Sequence, residues 1–226
     1  MSAVSRLTAA LAVLALLAAC GSEKSEPSPM GAAVGTLAKA TLSRMSARRA
    51  GGEAKTPAAP SRAEIEKYGM PILRAVIPSR GADALVTISD RKGPVVTWST
   101  TDGTTFSLRD GVLIQTRGLG PDLMSARAPS LGQLRQNGGT HQRVYYFLGA
   151  DDRTTTRTYD CTVQVRGGES VTIFGRAHAT TRVTEECVRP QGRITNEFWL
   201  EGATVRKSRQ WVSGLTGYID LERVVD

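Results

Sequence analysis

Residues 159–172 read YDCTVQVRGGESVT, and the first half carries an apolar or aromatic side chain at every second position. This is the side-chain period of a β-strand, so Cys161, Val163 and Val165 face one side and the polar residues between them face the other. The pair Gly167-Gly168 separates this run from the next and predicts a tight hairpin turn. The stretch therefore predicts antiparallel β structure with one buried face.

Similar short runs recur along the chain from residue 72 onward. The predicted strands are residues 72–77, 83–89, 94–100, 104–108, 111–117, 142–149, 155–166, 169–174, 177–188, 193–201, 204–212 and 217–225. Asp110-Gly111 predicts a second tight turn, and residues 119–139 predict a helical turn plus a mobile loop. No long helical pattern separates these runs, so we expect an all-β antiparallel meander that forms a barrel or strongly curved sheet, with short N-terminal helices.

The N-terminus has the pattern of a bacterial lipoprotein signal. Arg6 precedes an apolar run over residues 7–19, and Leu17-Ala18-Ala19-Cys20 resembles a lipobox. The run is shorter than the roughly 20 residues that cross a bilayer as a helix. We therefore predict that residues 1–19 are a signal peptide, that Cys20 is the lipid attachment site, and that the lipid holds the chain at a membrane. In enteric bacteria, an aspartate just after the lipidated cysteine resembles an inner-membrane retention signal. Gly21 and Ser22 follow Cys20 instead, so we expect the protein at the outer membrane, facing the periplasm.

Three further regions follow the predicted lipid attachment site. Residues 20–30 are polar and rich in proline, as in a flexible tether. Residues 31–60 contain an amphipathic helical pattern and a linker, and this helix could lie on the membrane or pack on its own domain. Ser61 and Glu64 have the spacing of a capping box that opens a short helix through Lys67. We assign residues 61–226 to a single β-rich domain.

The chain is basic, with 29 Lys and Arg against 21 Asp and Glu. At the periplasmic side of a membrane, this excess favours contact with anionic lipids and acidic polysaccharide, although solubility alone explains it equally well. No motif interleaves aromatic residues with arginines, so we do not expect nucleic acid as a partner.

Cys161 and Cys187 form an even pair once Cys20 is acylated. Both lie at inward positions of predicted strands, in a compartment where disulfides persist. The sequence favours a disulfide between them, with two buried free thiols as the alternative. It contains no metal-binding motif, and we expect neither a metal nor a cofactor.

Catalytic signals are weak in this sequence. The only histidines, His141 and His178, are not accompanied by a nucleophile motif, and solvated or core positions are expected for both. Carboxylates that could form a glycosidase pair lie in predicted loops or strand ends, where turn formation is their usual role. They are Asp102, Asp110, Asp122, Asp151 and Asp152. We assign no catalytic residue and expect a protein that is not an enzyme.

A glycan-binding face has somewhat better support. Lys207, Arg209 and Trp211 share one side of a predicted strand, and Trp199 comes from the preceding run. Indole rings stack on sugars and guanidinium groups bind carboxylates, so these four residues could hold an acidic glycan. The alternative is that both tryptophans belong to the core.

Several blocks of the chain resemble one lipoprotein family. They are Thr97-Trp98 with Asp102-Gly103, DGVLIQTRGLG at residues 110–120 followed by Asp122-Leu123, NEFWL at residues 196–200, and RKSRQW at residues 206–211. Together with the lipobox, these blocks are similar to the YjbF family, whose relatives include the GfcB-type group 4 capsule lipoproteins. The resemblance implies a barrel-like lipoprotein associated with capsule or exopolysaccharide secretion, with no catalytic residue to carry over. The cysteine pair is a departure from the enteric relatives.

These observations predict a non-catalytic accessory lipoprotein at the outer membrane that assists exopolysaccharide or capsule assembly or export. Its expected partners are acidic polysaccharide and polysaccharide-export proteins. Two alternatives remain: a half-open barrel that carries lipid or lipoprotein acyl chains, and a polysaccharide-modifying enzyme.

Metabolic labelling with palmitate tests the predicted anchor. We expect the wild-type chain to incorporate label and to fractionate with membranes, because acyl chains on Cys20 hold it there. The Cys20→Ala variant should incorporate none. An unlabelled wild-type chain would contradict the lipoprotein assignment.

Overall fold

The computed structural model describes residues 60–148 and 153–226. The predicted signal peptide, Cys20, the tether and the helix and linker up to residue 59 lie outside the described residues, as do Asp151 and Asp152. No helix in the described part of the chain is long and apolar enough to cross a membrane.

The described residues form two short α-helices and twelve strands. Helix α1 spans Arg62–Glu66 and α2 spans Leu131–Leu134. The strands are β1 Ile72–Ile77, β2 Ala82–Lys92, β3 Val95–Ser99, β4 Thr105–Arg109, β5 Val112–Arg117, β6 Leu123–Arg127, β7 Thr140–Leu148, β8 Thr154–Ile173, β9 Arg176–Arg189, β10 Gly192–Glu201, β11 Thr204–Ser213 and β12 Gly217–Val225. The predicted capping box at Ser61 and Glu64 is confirmed.

All twelve strands belong to one antiparallel sheet that curls into a nearly closed barrel. The strand order is β5-β4-β3-β2-β1-β12-β11-β10-β9-β8-β7-β6. Neighbouring strands are therefore consecutive in sequence except β1 and β12, which pair the first strand with the last. The predicted all-β antiparallel meander is confirmed, and so is its curvature into a barrel.

The barrel has a seam where its two edge strands, β5 and β6, meet. Side chains bridge this seam: Thr116 Oγ1 accepts a hydrogen bond from Leu123 N at 3.0 Å and donates one to Asp122 Oδ1 at 2.9 Å. Asp122 also accepts from Gly118 N and Leu119 N. These bonds engage backbone groups that an exposed sheet edge would leave unpaired. The sequence predicts a helical turn and a mobile loop over residues 119–139, but these residues contain β6 as well as α2.

The interior of the barrel is filled by side chains. Tyr145 and Trp211 are in edge-to-face contact with ring centroids 4.9 Å apart, and Phe147 and Tyr159 complete this aromatic cluster. Trp98 and Phe106 are buried in the same core. Edge-to-face packing adds to the stabilisation from burial. The filled interior argues against a half-open barrel that shelters acyl chains.

Strands β8 and β9 form a hairpin longer than the sequence predicts. The Gly167-Gly168 turn prediction is wrong: the ladder continues through both glycines, with a bulge between Val165 and Gly167. The turn lies instead at Phe174 and Gly175, both with positive φ. Two glycines suit a bulge as well as a turn, because Gly167 has a φ of 105°. By contrast, the predicted turn at Asp110-Gly111 joins β4 to β5, as expected.

A second apolar cluster lies on the outer face of the barrel. Ile65 of α1 packs with Ile72, Val171, Ile173 and Trp199. Residues adjacent to these in sequence, such as Leu73, face the interior core, so strand alternation places this cluster outside. Arg62 fastens α1 to the same wall by donating to the carbonyl oxygens of Ile173 and Val224.

The predicted disulfide between Cys161 and Cys187 is confirmed. The two residues lie directly opposite each other on β8 and β9. Both are buried in the interior core, and the bond links positions 26 residues apart. A cross-link of this span restricts the unfolded chain and so stabilises the folded state.

Replacing both cysteines by alanine tests this contribution. We expect the Cys161→Ala/Cys187→Ala variant to lose about 3 kcal/mol of unfolding free energy, measured by urea denaturation. A reducing agent should destabilise the wild-type protein and leave the variant unaffected. Equal urea midpoints for the oxidised wild type and the variant would show that the bond does not contribute.

Candidate functional site

The barrel interior contains a buried ion pair between β7 and β9. Arg143 and Glu185 are both fully buried, and Arg143 Nη1 donates to Glu185 Oε2 at 2.7 Å. Asn196 Nδ2 donates to the same oxygen at 2.7 Å, and His141 Nε2 lies 2.7 Å from Glu185 Oε1. Three side chains thus surround one carboxylate, which offsets the cost of removing it from water.

These contacts hold both groups of the pair in their charged forms. Burial disfavours the ionised carboxylate of Glu185, but the Arg143 charge and the hydrogen bonds from His141 and Asn196 keep its pKa below the ordinary value. Burial likewise opposes the charge on Arg143, whose pKa Glu185 keeps above the ordinary value. Because every neighbour favours the ionised carboxylate, Glu185 is poorly suited to take up a proton.

The network continues across the interior to edge strand β5. Gln210 accepts a hydrogen bond from Leu113 N at 2.8 Å and donates to Gly111 O at 3.0 Å and Ser208 Oγ at 2.9 Å. Arg143 Nη2 donates to Leu113 O at 3.3 Å. Side chains from β7 and β11 thereby satisfy the backbone of Leu113 in β5 and of Gly111 just before it. The block RKSRQW thus contributes Ser208 and Gln210 to the structural core.

Part of this network has a set of atoms typical of metal ligands. His141, Cys161 and Glu185 place one ligand atom each within 4.8 Å of one another. The sulfur of Cys161 is bonded to Cys187 and offers no thiolate. Glu185 already accepts hydrogen bonds from three side chains. This set therefore fits a structural network better than a metal site.

The other candidate acid–base groups are engaged in local structure. The pKa of Asp102 is lowered, chiefly by the hydrogen bond from Thr100, within the turn between β3 and β4. Asp122 binds the backbone at the barrel seam. His178 is buried, with Nδ1 3.3 Å from Glu201 Oε2. The structure does not combine these groups into a catalytic pair.

The predicted glycan-binding face is wrong in its two tryptophans. Trp211 packs among the interior aromatic rings, and only 7% of its surface is exposed. Trp199 is on the outer wall and equally buried. Lys207 Nζ lies 5.4 Å and Arg182 Cζ 5.6 Å from the centroid of its ring. Lys207 also pairs with Glu222, and Arg209 pairs with Asp220. The four residues do not share an open surface.

A cavity of about 310 Å³ opens at one end of the barrel. Three turns form its rim: Gly93-Pro94 between β2 and β3, Asp110-Gly111 between β4 and β5, and Ala203 between β10 and β11, followed by Thr204 at the start of β11. Arg91 and Arg223 contribute positive charge, and Trp98 and Leu108 lie among the lining residues. This combination of cations, one carboxylate and apolar surface could receive a small polar anion.

Sequence reasoning did not identify Arg143, Glu185 or this cavity. A signal existed for the ion pair, because Arg143 shares strand parity with Tyr145 and Phe147, and Glu185 shares it with Cys187. Opposite charges at inward positions of two strands predict a buried pair. No comparable signal marks the cavity, since its lining comes from turns far apart in sequence.

Comparison with known proteins identifies both family and fold. A family model described as Group 4 capsule polysaccharide lipoprotein gfcB, YjbF, matches residues 34–224. Among solved structures, the chain is similar to the hypothetical lipoprotein YmcC from Escherichia coli K12, with 19% identity and a TM-score of 0.66. This similarity covers 90% of this chain and 98% of that one, and at such identity it shows the fold alone. No curated protein matches the sequence.

Replacing Glu185 by glutamine tests the buried pair. We expect Glu185→Gln to lower the unfolding free energy by about 3–5 kcal/mol, because it leaves the Arg143 charge buried without a counterion. The neighbouring Glu186→Gln is a matched control. Glu186 pairs with Arg166 at the surface, so that change should cost less than about 1 kcal/mol. Similar losses in the two variants would contradict this role for Glu185.

The same pair predicts an acid-dependent loss of stability. The pKa of Glu185 is lower in the folded than in the unfolded chain, so its ionised form stabilises the protein above about pH 4.3, the ordinary glutamate value. This contribution should disappear as the pH falls through the folded-state pKa. Urea denaturation of wild type and Glu185→Gln between pH 7 and pH 2 should show that the difference between their unfolding free energies becomes smaller on acidification. A difference that does not change with pH would contradict the prediction.

Proposed function

Because the chain belongs to the YjbF family of group 4 capsule polysaccharide lipoproteins, we propose that it is an accessory lipoprotein that assists capsule or exopolysaccharide assembly or export. It acts from the periplasmic face of the outer membrane, held there by lipid on Cys20. The observation that carries this proposal is the family match over residues 34–224, preceded in the same chain by the lipobox Leu17-Ala18-Ala19-Cys20.

The proposed role is non-catalytic and depends on binding. Glu185, the carboxylate of the buried network, is held ionised by Arg143, His141 and Asn196. Asp102 and Asp122 are used to form turns and the seam. Groups that are already engaged in this way favour a rigid scaffold over an acid–base mechanism.

Acidic polysaccharide is the proposed ligand, and export proteins are the proposed protein partners. The basic balance of the chain favours contact with polyanions. The anchor keeps the domain near the membrane through which polymer must pass, so that even weak contacts recur at high local concentration.

Gene deletion in the native host tests the proposed function. We expect the deletion to reduce the amount or the chain length of surface polysaccharide, measured by extraction and gel electrophoresis. Wild-type complementation should restore the polymer. The Cys20→Ala variant should restore it poorly, because an unanchored domain is diluted throughout the periplasm.

Two outcomes would count against this function. Polymer of unchanged amount and length in the deletion strain would overturn the accessory role. Full restoration by the Cys20→Ala variant, at equal protein level, would overturn the requirement for the lipid anchor.

A further inference from the structure

The cavity at the barrel end contains an arginine that is incompletely neutralised. Arg223 shares strand parity with Ile219 and Leu221 of the interior core, and its guanidinium lies 5.9 Å from the Trp98 ring centroid. Its only ion-pair partner among the described residues is Asp226, with Nη1 3.8 Å from Oδ1. Asp226 is already bound by Arg206 at 2.6 Å and 2.8 Å. The buried Nε of Arg223 has no hydrogen-bond partner in the described part of the chain.

The surroundings of Arg223 add positive charge. Burial lowers the pKa of Arg223 most, and the nearby cations Arg206 and Arg91 lower it further, against the opposing effect of Asp226. An anion bound beside this guanidinium would relieve both the repulsion and the poor solvation. We therefore expect the cavity to bind an anionic ligand more tightly than a neutral one.

Arg91 supplies a second guanidinium to the same cavity. A bulge between Ile88 and Asp90 shifts the end of β2, so that Arg91 lies opposite Val96, which packs against the interior core. The adjacent carboxylate of Asp90 is engaged by the Arg91 backbone N at 2.8 Å and by Lys92 Nζ at 3.6 Å. Within residues 60–148 and 153–226, the Arg91 guanidinium has no ion-pair partner.

The remaining lining groups suit a sugar ring. Thr204 and Asp110 lie on the rim, and hydroxyl and carboxylate groups can exchange hydrogen bonds with sugar hydroxyls. The volume of about 310 Å³ is at the lower end of the range for small-molecule sites. Asp110 also disfavours a ligand that carries negative charge on every side. The cavity thus combines attraction for one anionic group with acceptors for hydroxyls.

We propose that this cavity binds a carboxylate-bearing sugar residue of the uronic acid class, with Arg91 and Arg223 holding its carboxylate. The source of that sugar, an acidic envelope polysaccharide, rests on the function proposed above. Arginine is suited to this role because its planar fork of donors matches a carboxylate. The site lies at the barrel end and uses none of the four residues that the sequence predicted for glycan binding.

Saturation-transfer NMR on the acylated chain in detergent tests the site. The probes are glucuronate and its neutral counterpart glucose. Inorganic phosphate, an anion with neither a sugar ring nor carbon-bound protons, is titrated as a competitor of the glucuronate signal. We expect glucuronate to bind more tightly than either control and more weakly as salt increases. Arg91→Gln should weaken glucuronate binding about tenfold, and Arg91→Gln/Arg223→Gln should abolish it.

Arg209→Gln is the matched control. It removes one positive charge from the outer wall, where Arg209 pairs with Asp220, and it should leave glucuronate affinity unchanged. Arg91 is exposed at the rim, so its replacement tests the site without disturbing the core. Equal binding of glucose or phosphate, full binding by Arg91→Gln, or a loss confined to Arg209→Gln would overturn the proposal.

The cell-based experiment separates this proposal from the proposed function. Complementation with Arg91→Gln/Arg223→Gln should fail to restore normal polymer in the deletion strain. If it restores polymer fully, the cavity is not the polymer site and the accessory role stands. If deletion itself has no effect on polymer, the accessory role fails, and the glucuronate titration still decides whether the cavity binds uronic acids.

Discussion

A sheet that almost closes into a barrel must supply hydrogen-bond partners to the backbone of its two edge strands. This requirement explains why polar side chains lie in the barrel interior. Leu113 on edge strand β5 receives partners from Gln210 and Arg143, which reach it across the barrel. A buried arginine needs a counterion, and Glu185 supplies it. Glu185 in turn needs further donors, which His141 and Asn196 provide. Each buried polar group in the interior therefore needs the next one as a partner, and the series begins at the unpaired backbone of an edge strand.

Polar residues in the family-like sequence blocks need not mark a binding site, because they can serve as hydrogen-bond partners for buried backbone groups. Asn196, Ser208 and Gln210 belong to the blocks that resemble the family, and all three are buried. Asn196 Oδ1 accepts from Trp211 N at 2.7 Å, close to the place where a bulge interrupts the β11–β12 ladder. Their side chains thus replace missing backbone partners. A site for external ligands has to be sought where charges remain poorly matched, as at Arg223.

Sequence periodicity predicted the class of fold because strand alternation is a local property. The inward positions of Cys161 and Cys187 followed from the same alternation, and the structure bears this out. Bulges account for two of the failures, because one inserted residue reverses the face of every side chain beyond it. Gly167-Gly168 marked a bulge instead of a turn, and Trp211 faces inward next to a second bulge. The cavity could not be foreseen, because its rim joins three separate turns, from Gly93-Pro94 to Ala203, that are distant in sequence.

The pairing of β1 with β12 has a consequence for biogenesis. Ile72 lies opposite Val225, so the ladder between β1 and β12 cannot form until the chain has been synthesised through β12. Such distant contacts carry a large loop-closure entropy and slow the acquisition of tertiary structure. A polypeptide that folds late in this way stays unfolded for longer during synthesis. For a chain with the predicted signal peptide, this would keep it able to pass through a narrow translocation pore before the barrel forms.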